Sequence, residues 1–491
     1  MNTKESEENS NRKVWKDIIP YFSFENVGHL FFLVFAIWSL IDASSRVLIT
    51  DPAYYLFNII NKENFFIAGP RYTTVINQVL VVLGVKLGVS LKLLISLYSV
   101  SFVLIRYSYF LIVVKLLKNI PAGFAIIAFT LLGVAESYFR PTSESTIALL
   151  NSSLLYASLV FFEMKMAGKK KLVLQLLVTL LLVAFGYYTH PIALFSLVFV
   201  VLFFSVFHQS KFSWYPVFAL VIVLVTFGQK VLLGENSTHH SSLYGNLLSS
   251  PFLILQELSD YYPYKFFSNH FERLYLIASL LFIAAVILLA LRKRGWMSSL
   301  LIVVSVVVYF IVACTSFKKG DANMQMEKIF LPMVFFSGIA FAEGVSALKR
   351  NRIKGVLLAG TTLIVMLVGL ERIGDVRGLY HGRIDYLKEI VHQANQESGK
   401  KLLIKSEQVD RKMVFTWGMG METLMLSTID KTMDPLTVYC IQGHEKLEGK
   451  QDDPENFLVT HFHTSFNYTQ FNQRYFGLSE EAYKEWDVDL K

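Results

Sequence analysis

The stretch Leu172-Val173-Leu174-Gln175-Leu176-Leu177-Val178-Thr179-Leu180-Leu181-Leu182-Val183-Ala184-Phe185-Gly186-Tyr187-Tyr188-Thr189-His190-Pro191 decides the fold class, together with the equally apolar run that follows it to Phe207. A helix crossing a bilayer needs about 20 mostly apolar residues, and this block has room for two. Pro disfavours helix in the residue before it, and His is costly in lipid. Thr189-His190-Pro191 therefore reads as a turn between spans at 172–188 and 190–207. Similar runs at 27–49, 92–117, 120–138, 145–164, 214–233, 274–291, 298–316, 329–347 and 353–371 bring the expectation to about 11 transmembrane helices.

Composition agrees. Of 491 residues, 54% are hydrophobic and only 17% charged, and mean hydropathy is +0.46. A soluble chain carries about 25% charge, and no soluble core hides this much apolar surface. A soluble enzyme, a disordered chain and a nucleic-acid binder are excluded, in spite of the net charge of +8. The two cysteines, Cys314 in an apolar run and Cys440 near the C-terminus, give neither a disulfide framework nor a thiolate metal site. The first apolar run continues past Ile41, as an anchor does, rather than stopping as a cleaved leader does.

Lysine and arginine collect on cytoplasmic loops. With the N-terminus inside, Arg12/Lys13/Lys16, Lys115/Lys118, Lys165/Lys169/Lys170/Lys171, Arg292/Lys293/Arg294 and Lys349/Arg350/Arg352/Lys354 all fall on that side. An odd number of spans sends the C-terminus out. Residues 1–26 form a cytoplasmic N-terminus with a short interfacial helix near Val14–Phe22, and 27–372 form the membrane module with outer loops 50–91 and 234–273. Residues 373–491 are an extracytoplasmic tail. Strand-like segments at 401–405 and 436–441 flank a helix-like 416–429, the pattern of a small α/β domain. The expected fold is thus an all-α polytopic membrane protein with a small C-terminal α/β domain. Few cysteines and short loops suit a bacterial inner membrane.

Ionisable groups at a membrane face are expensive and mark candidate sites. Asp51 follows the first span in Asp51-Pro52-Ala53-Tyr54-Tyr55, where an acid before Pro also reads as a helix N-cap. Glu136 and Arg140 are four apart, the spacing of a pair on one helical face; Glu144 follows, with Ser143 or Thr142 placed to cap the next span. His190 reads as a structural hydrogen-bond partner, and a histidine side chain also permits phosphate binding or proton transfer. Lys318, Lys319 and Lys328 break the inside-positive trend, as an anionic ligand would require. His239-His240 are adjacent, which no two-ligand metal site on one helix prefers, and His461 and His463 lack a recognisable spacing. No glycine-rich phosphate loop, His-Glu-x-x-His or Gly-x-Ser-x-Gly occurs. No cofactor is required by these residues, and a divalent metal is compatible with them but unsupported.

Asp51-Pro52-Ala53-Tyr54-Tyr55 after a first span, followed by a long amphipathic first loop, many further spans and a terminal outer domain, resembles the GT-C superfamily of integral membrane glycosyltransferases. Tyr138-Phe139-Arg140-Pro141-Thr142-Ser143-Glu144, Tyr188-Thr189-His190-Pro191 and Glu327-Lys328-Ile329-Phe330-Leu331-Pro332 are looser points of similarity. The resemblance implies a polyprenyl-phosphate-sugar donor, an extracytoplasmic acceptor, and inverting transfer with Asp51 as base. It implies phosphate binding by Lys318, Lys319, Lys328, Arg140 and His190, with Tyr54, Tyr55, Glu136 and Glu144 in support. Many members carry a second acid beside the first; this chain has Pro52 there and only Glu63 further along the loop.

Three other readings compete. A polysaccharide polymerase or ligase relies on arginines in outer loops, which are sparse here. A transporter or flippase needs ionisable residues within spans; Asp42 and Arg46, spaced to pair on the first helix, Arg106, Gln229 and Glu343 are its candidates. A scaffold that binds an envelope partner through its tail is the last.

Overall fold

The computed structural model describes residues 23–68, 71–209, 213–232, 255–292, 295–316, 322–430, 433–442, 447, 449–460 and 466–490. The interfacial helix near Val14–Phe22, together with His239, His240, Lys318, Lys319, His461 and His463, lies outside them. Helix dominates. The early elements are α1 (Phe24–Ile41), α2 (Ala43–Val47), α3 (Thr50–Lys62), α4 (Val79–Leu87), α5 (Leu91–Leu111) and α6 (Ile120–Leu131). Then come α7 (Glu144–Lys165), α8 (Gly168–Tyr187), α9 (Ala193–His208), α10 (Tyr215–Leu232), α11 (Tyr262–Asn269) and α12 (Leu276–Ala290). The last helices are α13 (Trp296–Cys314), α14 (Asn323–Ser346), α15 (Asn351–Ala394) and α16 (Met419–Thr428).

Eight helices among the described residues are long and apolar enough to cross a membrane: α1, α5 extended to Leu116, α7, α8, α12 with the turn before it, α13, α14 and α15. Several carry stripes of exposed apolar side chains at helical spacing, such as Val173, Leu177 and Leu180 on α8, and Leu276, Leu280, Ile283 and Ile287 on α12. Water penalises such a surface and lipid does not, so the chain is an integral membrane protein. The segments 120–138 and 190–207 give the shorter apolar helices α6 and α9, and 214–233 gives α10, helical over its described length from Tyr215 to Leu232. In α6 the reason is local. Asn119 Oδ1 accepts the Ala122 N–H at 2.8 Å and Pro121 sits in the first turn, which fixes the start. Gly133, with φ +72°, turns the chain just beyond the other end. The 12 residues between span roughly 18 Å, well short of the ~30 Å hydrocarbon layer. The turn at Thr189-His190-Pro191 does separate α8 from α9.

The chain divides into two compact units. The first falls within Met1–Val34, Arg106–Ser137 and Ser143–Ile373. Its most buried long helices are α7 and α14. Gly338 on α14 meets Ala125 on α6 so closely that an added Cβ would stand 3.2 Å from the Ala125 Cα. Small residues allow such approach where no hydrophobic effect drives helices together. Glu343 accepts from Tyr156 OH at 2.6 Å and lies 3.1 Å from His208 Nε2, so this buried carboxylate is partnered.

The second unit falls within Phe35–Ile105, Tyr138–Thr142 and Gly374–Lys491. Strands β1 (Lys401–Lys405), β2 (Thr437–Ile441) and β5 (Lys484–Glu485) form a parallel sheet in the order β2-β1-β5, with Leu403 opposite Tyr439 and Glu485. Helix α16 connects β1 to β2. Two-residue strands β3 (Asn456–Phe457) and β4 (Phe466–Asn467) pair antiparallel. Phe57 of α3, wholly buried, packs against Phe457, Phe466, Phe471 and Phe476 with ring centroids 5.4–6.0 Å apart. Four aromatic neighbours hold α3 against the C-terminal segment. Residues 374–491 thus group with the first loop, and α15 runs unbroken to Ala394, well past the apolar stretch ending near 371.

Candidate active site

The chain leaves α1 at Asp42, makes the short α2, and enters α3 through Thr50. Thr50 is fully buried with φ +53°, a left-handed conformation that a β-branched residue rarely adopts. Its backbone N–H donates to Glu422 Oε1 on α16, 2.5 Å away. The N-cap reading of Asp51 is corrected here. Ile49 holds the cap position, and Asp51 lies half-buried in the first turn of α3 with no capping bond from the Ile49 side chain. A carboxylate there is favoured by the helix dipole, and the acceptor for the first N–H comes from Glu422 instead.

Glu422 is 1% exposed, and burial pushes its carboxyl up to about 8; the Thr50 N–H, Arg140 and Arg383 pull the other way. Gly418 makes room for it, since a Cβ at that position would stand 2.7 Å from Glu422 Oε1. Arg140, also buried, lays its guanidinium 3.9 Å from the centre of the Phe415 ring. Arg383 lies 4.8 Å from the same ring and 4.7 Å from that of Tyr380, and donates to Lys412 O. Tyr380 stacks flat on Phe139 at 4.4 Å. Burial lowers the proton affinity of Arg140, Tyr380, Asp51 and Glu422 raise it, and Arg383 lowers it further. A guanidinium keeps its charge through such changes. Two acids and two cations therefore share one electrostatic neighbourhood.

A second polar group stands in the same unit. Asp42 is 1% exposed, and its Oδ1 accepts from Arg377 Nε and His381 Nε2, both at 2.9 Å. A carboxylate of this kind only accepts, so His381 carries its proton on Nε2 and turns Nδ1 away from Asp42. The expected pairing of Asp42 with Arg46 does not form, although the Arg46 N–H still donates to Asp42 O at 3.0 Å, because the Asp42 carboxylate faces Arg377 and His381. Arg46 instead donates to Tyr138 O and to Ser99 O and Oγ at 2.8–3.0 Å, and lies 4.4 Å over the Tyr138 ring.

The other sequence-derived residues are distributed as follows. Tyr54 and Tyr55 both meet the Phe66 ring edge-on at 5.4 Å. Glu136, Glu144, His190 and Lys328 belong to the first unit. Residues 136–139 form a single tight 3₁₀ turn rather than a stretch of α-helix, and Glu136 Oε1 accepts from Asn323 Nδ2 at 2.9 Å. Glu144 opens α7 behind Ser143, which occupies the cap position without a capping bond. His190 Nδ1 accepts the Ile192 N–H at 3.2 Å within its turn. Lys328 lies half-buried on α14. Next to it, Glu327 accepts three backbone N–H groups, from Ala135, Glu136 and Ser137 at 2.8–2.9 Å, and so holds the turn that leads into Tyr138–Arg140.

Sequence reasoning missed Glu422, Arg383, Arg377 and His381. The one available signal was the run Arg377-Gly378-Leu379-Tyr380-His381-Gly382-Arg383, whose Arg377 and His381 are four apart on a helix. No group of three or more metal-ligating side chains occurs among the described residues. Comparison with protein-family models and with curated proteins finds no match to the chain.

Proposed function

We propose that the chain is a membrane glycosyltransferase that moves a sugar from a polyprenyl-phosphate donor to an extracytoplasmic acceptor. Asp51 takes the proton of the acceptor hydroxyl, the acceptor oxygen bonds to the anomeric carbon, and the bond from that carbon to the phosphate oxygen breaks with inversion. The departing prenyl phosphate carries the negative charge, and Arg140 and Arg383 stabilise it. What supports this reading is the neighbourhood itself: a half-buried acid in the first turn of α3, shortly after the first apolar helix, within the field of a buried guanidinium, in a chain with eight membrane-length helices among its described residues. The concentration of Lys and Arg on alternate loops supports an N-terminus in the cytoplasm and a site outside it.

Arg46, Arg140, Arg377 and Arg383 all fall in the second unit, which favours a second reading, a polysaccharide polymerase or ligase transferring whole chains. Purified protein is offered polyprenyl-phosphate sugars with a panel of acceptors, and release of free polyprenyl phosphate is measured beside Asp51→Asn. The transferase reading expects release by the wild type and a fall of at least about tenfold in the folded variant, roughly 1.4 kcal/mol of transition-state stabilisation. Equal release removes Asp51 from its role, absence of release removes the reading, and transfer of oligomeric blocks selects the polymerase or ligase.

A further inference from the structure

The C-terminal end of α3 and the segment after β4 line an open surface hollow of about 640 Å³. Its wall is built by a three-way tie. Asn472 donates its backbone N–H to Asn61 Oδ1 at 2.8 Å and its Nδ2 to Ile60 O at 3.0 Å and Glu63 Oε1 at 2.9 Å. Glu63 caps α3 in the left-handed conformation, φ +47°, with its backbone N–H on Ile60 O, a common helix stop. The floor is fixed as well: the Phe466 ring lies edge-on to Phe57 at 5.5 Å and to Phe471 at 5.7 Å.

The groups left over define the ligand. Gln473 has no partner among the described residues, and Gln470 uses only its Oε1, which accepts the Asn467 N–H. Asn472 Oδ1 and Glu63 Oε2 remain as acceptors, and Lys62 Nζ rests 4.7 Å over Phe66. Gln473 presents a donor and an acceptor side by side in one plane, the match for neighbouring hydroxyls on a sugar ring, Gln470 Nε2 adds a donor and Asn472 Oδ1 an acceptor, while Phe466 offers an apolar edge. One lysine balanced by one glutamate gives no net charge to draw a phosphate or a nucleotide. A single carboxylate holds no metal, and the polar lining suits no acyl chain.

We infer that this pocket binds a neutral oligosaccharide. Naming that glycan the acceptor rests on the transferase reading; the binding itself does not. The test uses the full chain in nanodiscs with no donor lipid present. Fluorescently labelled maltoheptaose, cellohexaose, chitohexaose and laminarihexaose are the probes, with wild type beside the surface variant Gln470→Ala/Gln473→Ala and beside Phe466→Ala. The expected result is saturable binding of at least one probe, weakened about tenfold in the double variant, as for one or two lost hydrogen bonds. Unchanged thermal unfolding of the double variant shows that its fold is intact. No saturable binding of any probe, or equal binding by wild type and both variants, overturns the inference. Binding without sugar transfer defeats the transferase reading alone, and transfer without saturable binding defeats this one alone.

Discussion

Replacing Glu422 with Gln removes a buried titrating group while keeping an oxygen to accept the Thr50 N–H. The folded protein holds this carboxyl near 8, above its ordinary 4.5, because burial disfavours the charged form. The neutral acid is therefore what the fold favours. Its contribution is complete below about 4.5 and is lost as pH rises through about 8. At about 1.4 kcal/mol per pH unit the full interval is worth roughly 5 kcal/mol, of which about 4 kcal/mol falls between pH 5 and pH 9. Wild-type protein in detergent should thus lose unfolding temperature steadily across that range, and Glu422→Gln should lose much less. Intrinsic tryptophan fluorescence during heating, at half-unit pH steps, reads both curves. Parallel curves would refute the reasoning, because the slope would then belong to other groups.

Three further outcomes follow from the same geometry. Asp42→Asn deprives Arg377 and His381 of their common charge; both are about two-fifths exposed and water takes part of the load, so the expected loss is about 1–3 kcal/mol. In thermal unfolding the added cost of Arg377→Ala should shrink in the Asp42→Asn background, and strict additivity would show that the two do not interact. Glu327→Gln replaces one acceptor oxygen by an amide nitrogen, leaving at least one of the three N–H groups at 135–137 unpaired at about 1–3 kcal/mol; hydrogen exchange at those amides should accelerate, and unchanged protection would contradict the clamp. Gly418→Ala drives a methyl into Glu422 Oε1 and should cost about 1–3 kcal/mol, with Glu422→Ala in the same chain recovering part of it in a melting experiment.

What the sequence made legible is what depends on local composition. Apolar runs became helices, the tripeptide Thr189-His190-Pro191 became a turn, and the tail's two strand-like stretches became paired strands around α16. Composition did not register where α6 stops, because Ile120–Leu131 and the residues after it are equally apolar and the break is a matter of one backbone angle at Gly133. Nor did it register that α15 outlasts its apolar half, since a change of polarity is not a helix stop. The polar partners were least visible. Arg377 and His381 lie 335 and 339 positions from Asp42, and no periodicity connects residues so far apart. Asp51 stood out through its neighbours in sequence; Glu422 has no such context and acquires meaning only through Thr50.

The bond between Thr50 and Glu422 spans 372 positions of chain. A ribosome adding about 5–20 residues per second needs roughly 20–70 s to make that stretch. Throughout that interval α1 and the residues after it have emerged while the acceptor for the Thr50 N–H does not yet exist. The strained entry to α3 is then without the contact that offsets its cost, and Asp51 is without its final surroundings. Assembly of this corner is thus timed by the C-terminus: a nascent chain, or one truncated before Glu422, carries the acid in place but not the geometry that frames it.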